Sequence, residues 1–98
     1  MAVDGTWNLT METPMGERRS KLTLKAVGGT LTGSQEAEGN TTEIFEGTAN
    51  GDDVSWKVAI TNPMPLTLSF SGAVSGDIIS GNADTGMFGS FPFQGTRA

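Results

Sequence analysis

Ninety-eight residues carrying a net charge of -5 and no cysteine make one domain, 1–98, with a modest core. The acidic balance excludes nucleic-acid binding through phosphates, which needs basic patches. Histidine and tyrosine are absent, so any catalysis falls to carboxylates, Arg, Lys, Ser or Thr, and histidine metal sites are excluded.

Helix-period apolar spacing is missing, while alternation punctuated by turn residues reads as all-β. Eight strands are expected, over 5–13, 18–27, 30–38, 42–49, 53–61, 65–74, 78–84 and 90–97. The first alternates through Trp7, Leu9 and Met11. In the second, Leu22 and Leu24 face in, and the cluster Arg18, Arg19, Lys21 and Lys25 reads as a solvated strand face. The fourth is ambiguous, because Ile44 and Phe45 are adjacent and only one can face in. The fifth is the most apolar, with Val54, Trp56, Val58 and Ile60. The sixth alternates through Leu66, Leu68 and Phe70.

Five times a bulky apolar residue, one spacer and a glycine recur: Leu31-Thr32-Gly33, Phe45-Glu46-Gly47, Phe70-Ser71-Gly72, Ile79-Ser80-Gly81 and Phe93-Gln94-Gly95. A gap of two keeps apolar residue and glycine on one face of a strand. Glycine weakens an ordinary strand, so the repeat implies tight bending or close backbone approach. A sheet bent at five such points closes on itself.

The connections divide into two kinds. Gly28-Gly29, Asn50-Gly51 and Ser75-Gly76 are short hairpin signals, which an up-and-down meander places at one end. Pro14-Met15-Gly16, Gly39-Asn40-Thr41, Asn62-Pro63-Met64 and Thr85-Gly86-Met87-Phe88-Gly89 fall at the other. The expected architecture is an eight-stranded antiparallel up-and-down barrel, capped at one end and rimmed by Met, Pro and Phe at the other. A barrel of that strand number holds its own side chains or one small ligand.

Gly5-Thr6-Trp7 opening the first strand, with Arg97 closing the last, resembles the calycin signature of lipocalins, fatty-acid-binding proteins and avidins. The resemblance implies an arginine packed over the first-strand tryptophan at the closed end. Val54-Ser55-Trp56-Lys57-Val58 looks most like the avidin branch, but the residues that hold biotin do not carry over: Leu9 stands at the Asn position and Tyr is absent. The ending Gly86 to Arg97 also resembles small bacterial β-barrel modules sometimes appended to larger enzymes.

Candidate ligand-binding residues gather at the open end. Met11, Met64, Met87 and Phe88, with Phe91, form an adaptable apolar mouth. The same loops read as well as a plug over the barrel, and less readily as a subunit contact. Trp56 is core or cavity wall. Arg18, Ser20, Gln35 and Glu43 are the polar residues on or near the inward phase. An apolar pocket with few convergent polar groups is what small-molecule sites look like. Asp52, Asp53 and Asp77 sit in tight turns, where turn geometry accounts for them, and no metal or cofactor is expected.

Three functions follow. The leading one is binding of a small apolar or amphipathic molecule, oriented by Arg18 and Gln35, with Arg18 favouring a carboxylate. The second is a lyase, isomerase or cyclase in the same cavity with Glu43 as base. The third is a module docking another protein or a twin subunit. No apolar run reaches membrane length, and Met1-Ala2-Val3-Asp4 lacks the features of a signal peptide, so a cytoplasmic setting without membrane contact is expected.

Overall fold

Alternating burial along every long strand shows the period-2 pattern at work in the computed structural model, which describes residues 3–13, 16–37, 39–60, 66–86 and 89–98. The strands are β1 (Gly5–Thr13), β2 (Gly16–Val27), β3 (Thr30–Ala37), β4 (Asn40–Glu43), β5 (Phe45–Asn50), β6 (Asp53–Ile60), β7 (Leu66–Ser75), β8 (Ile78–Asp84) and β9 (Ser90–Arg97). All pairings are antiparallel, in the order β2-β1-β9-β8-β7-β6-β5-β3-β4, and β2 pairs with β3 to close the ring. β4 and β5 are the two halves of the expected fourth strand, so the barrel has eight staves.

The ambiguity at 44–45 resolves in favour of Ile44. Ile44 is buried, whereas Phe45 is 40% exposed. Glu46 follows at φ 50 and the register with β6 slips between Phe45 and Thr48. One extra residue at this bulge returns Gly47 and Ala49 to the inner face.

The bulge leaves a seam. β5 pairs with β6 only as far as Phe45–Lys57, whereas β6 continues to pair with β7 up to Ile60–Leu66. β4 pairs with β3 alone, and among the described residues no backbone pairing joins it to β6. The barrel is thus sealed at its tight-turn end and slit along one wall near the other.

The core fills the lower and middle levels. Trp7, Trp56, Leu22, Leu31 and Ile79 are its largest fully buried side chains. Trp56 stacks on Phe70 at 5.0 Å between centroids, and Phe93 meets both rings edge-on at 5.8 and 5.4 Å.

The repeated glycines work as expected. Gly72 and Gly81 face each other across β7 and β8. A Cβ on Gly72 would overlap the Ser80 carbonyl, and one on Gly81 would overlap the Ser71 carbonyl and the Gly72 Cα. Close strand approach at these points is what lets so small a ring coil tightly.

At the closed end, the Arg97 guanidinium carbon lies 4.2 Å from the Trp7 ring centroid. Its Nη1 donates to the Asp4 carbonyl at 2.7 Å, and its Nε meets Asp77 at 3.2 Å. The Trp7 indole donates to the Val3 carbonyl at 3.0 Å, and the Asp4 carboxylate accepts from the Ala26 amide at 2.9 Å. The segment before β1 is thereby strapped across the barrel floor.

Candidate functional site

Above the aromatic core, the inner wall changes character. Met11, Ser20, Gln35, Thr42, Leu66 and Phe91 point inward from six different strands and are half-buried rather than sealed. Met11 and Leu66 pack on the top of the core. Register sets the ring: Gln35 lies opposite Leu22 on one side and Thr42 on the other, Met11 opposite Phe93, and Phe91 opposite Ala83.

Within this ring Gln35 Nε2 donates to Ser20 Oγ at 2.9 Å. Gln35 Oε1 is buried and accepts nothing, and Trp56 Nε1 is buried and donates to nothing. An unpaired buried polar atom costs roughly 1–3 kcal/mol. Rotating the Gln35 amide by a half-turn exchanges the roles: Ser20 then donates to Oε1, and the Gln35 NH2 is left unpaired. In either arrangement one end of the amide lacks a partner.

One unpaired group is on a strand that borders the seam, and the other is one strand away from it. Trp56 is on β6 just below Lys57, the last residue that β6 pairs with β5. Gln35 is on β3, opposite Thr42 of β4 in register, and β4 is the strand on the seam's other side. Cα atoms of β3 and β4 each approach those of β6 within 8 Å.

On the rim, the Thr85 hydroxyl and amide both donate to the Gly89 carbonyl, at 2.7 and 2.9 Å, and the Asp84 carboxylate accepts from the Gly86 amide at 2.8 Å. These bonds fix the base of the loop between β8 and β9.

Of the expected site residues, Met11, Ser20, Gln35, Trp56 and Phe91 come to the inner wall. Trp56 is deeper than a mouth residue, at 1% exposure. Arg18 is exposed: its Cβ has the inward parity of Ser20, but it sits near the strand end, level with Met11, where a long charged side chain reaches solvent. Glu43 is exposed opposite Ser34, because Ile44 takes the inward position. That corrects its reading as an internal base. Met64, Met87 and Phe88 lie outside the described residues, as does Met15. Thr42 and Leu66 were missed as wall residues. Thr42 shares the parity of Ile44, a signal usable only once Ile44 is known to face in.

The outer wall carries two shallow troughs of about 520 and 580 Å³, both touching Ser80 and Gly81. They are floored by the glycine pinch and lined by outward Ser, Thr and Asn side chains such as Asn8, Thr10, Ser55 and Ser71. Among the described residues no three acidic side chains gather into a group able to hold a metal ion.

No family model matches the chain, and no curated protein matches it. Among solved structures, a redesigned β-barrel is similar over 99% of this chain and 92% of its own, with a TM-score of 0.73 and 11% sequence identity. At that identity the likeness is one of fold. It agrees with the strand pairing: the chain folds as a small, closed, eight-stranded antiparallel β-barrel.

Proposed function

We propose that this barrel binds a small apolar or amphipathic molecule in its upper interior, between Met11, Leu66 and Phe91 on one side and Gln35 and Thr42 on the other. The observation that carries the reading is the pair of buried, unpartnered polar atoms, Gln35 Oε1 and Trp56 Nε1. Native interiors leave few such groups unpaired, and each calls for a bound molecule or a water. Met11 and Phe91 supply the adaptable apolar contact that a short hydrocarbon or aromatic body needs. Each methylene buried there contributes about 0.8 kcal/mol, so burying a six- to eight-carbon body supplies about 5–6 kcal/mol, a dissociation constant between about 0.3 mM and 20 μM.

Tryptophan emission tests this directly. Trp56 lies below the proposed pocket, whereas Trp7 is sealed under Arg97 at the far end. Titration with a panel of aliphatic and aromatic acids, alcohols and amides should give a saturable change in emission. A flat response across the panel refutes the reading.

A second reading, docking of another protein or a twin subunit, has its own support in the filled middle of the barrel and in the polar troughs on the wall, one edged by Glu12 and Glu17 and the other by Asp53. Sedimentation analysis across a hundredfold range of concentration decides the twin-subunit form of it: a constant monomeric value removes that form.

A further inference from the structure

We propose that the polar end of the ligand is a neutral carboxamide, read jointly by Gln35 and Trp56. The inference rests on the binding function proposed above and names the chemistry that the site selects.

Two observations lead to it. First, the unpaired atoms have opposite needs: Gln35 Oε1 lacks a donor, and the Trp56 N–H lacks an acceptor. A carboxamide carries a carbonyl oxygen and an N–H one bond apart from a shared carbon and answers both. If the Gln35 amide is turned over, it offers NH2 in place of Oε1, and the carbonyl oxygen of the same ligand can accept from it. Second, the inward polar residues at this level are all neutral: Ser20, Gln35 and Thr42. Among the described residues Arg18 is the nearest cation on this phase and its side chain is exposed, so a carboxylate placed beside Gln35 and Ser20 is desolvated with little compensation, which is unfavourable. An ammonium fails for the same reason, because Glu43 faces outward.

The seam accounts for access. β4 and the upper half of β6 are not bonded to each other, so the wall beside Trp56 parts without breaking a strand ladder. An inserted peptide strand needs neighbours about 9.6 Å apart, twice the strand spacing. Cα atoms of β4 and β6 lie within 8 Å of each other, too close for a strand to be inserted.

The test uses three probes of one shape: benzamide, benzoate at pH 7.5 and toluene. The readout is the pair of indole N–H signals in a nitrogen–proton correlation spectrum of the labelled protein. The Trp7 signal is already bonded to the Val3 carbonyl and stays fixed. Benzamide should move the Trp56 signal downfield and bind at least about tenfold more tightly than benzoate, one good hydrogen bond being worth a factor of about that size. Trp56→Phe assigns the signal by deleting it. Gln35→Leu should weaken benzamide about tenfold and leave toluene unchanged, and it removes an unsatisfied group, so its fold is secure. Equal or tighter binding of benzoate overturns the carboxamide assignment, and so does benzamide binding that leaves the Trp56 signal in place; both leave small-molecule binding standing. Silence from these probes together with the whole emission panel overturns both.

Discussion

Arg97 does three things with one side chain: it covers the Trp7 ring, donates to the Asp4 carbonyl and meets the Asp77 carboxylate. The ion pair is exposed on the Asp77 side and contributes little. The stacking and the bond to the strap carry the effect. Arg97→Ala should therefore cost about 1–3 kcal/mol in urea denaturation, while Asp77→Asn should change stability by less than about 0.5 kcal/mol. A reversed order of the two would place the closure elsewhere. This pairing was what the resemblance carried by Gly5-Thr6-Trp7 and Arg97 implied, and closing a meander brings its first and last strands together. Ser20 and Gln35 were readable too, by strand parity. Glu43 was not: its direction hung on whether Ile44 or Phe45 faced in, and two adjacent apolar residues offer no parity to decide it.

Elements show where the pattern succeeds and where it fails. Seven of the eight expected strands appear as single strands, because their alternation is unbroken; the fourth breaks into β4 and β5 at the Phe45–Glu46 bulge. Nothing in the run Ile44-Phe45-Glu46-Gly47 announces that Glu46 takes the left-handed conformation, since glycine stands next to it and would be the natural occupant. Two predictions belong here. Glu46→Gly should raise the melting temperature by a few degrees. Relief of left-handed strain is worth about 1 kcal/mol and exceeds the exposed ion pair with Lys57 that is lost. Glu46→Val should lower it, because a β-branched residue at this φ is strained further. On β7, Gly72→Val should cost about 3 kcal/mol or more by driving a side chain into the Ser80 backbone, whereas the exposed neighbour Ser71→Val should stay within about 0.5 kcal/mol. Equal tolerance at 71 and 72 would remove the packing account of the glycine repeat.

Considered as a whole molecule, the barrel has a strong half and a weak line. β7, β8, β9 and β1 are each bonded to a neighbour on both sides along half or more of their length. β4 and the upper half of β6 are bonded on one side only. In an antiparallel sheet the amides of one strand point alternately to its two neighbours. Along 58–60, then, the amides facing β7 are locked, and those facing the seam are not. Hydrogen exchange should reveal this alternation, with the seam-facing amides of β6 and the free edge of β4 exchanging at least about tenfold faster than those of β8 and β9, since local opening there breaks no ladder. The apolar groups flanking the slit, Ile44 and Val58, are buried and hold it shut at rest. A molecule seated between Gln35 and Trp56 leans on both edges and adds contacts present only in the closed form. Saturating ligand should therefore slow exchange on β4 and upper β6 by a factor close to one plus the ratio of ligand concentration to Kd, while β8 and β9 remain unchanged below their global-unfolding limit. Uniform slowing over the whole barrel would mean that the ligand stabilises the fold without touching the seam, and exchange on β6 as slow as on β8 in the free protein would mean that the slit is sealed in solution.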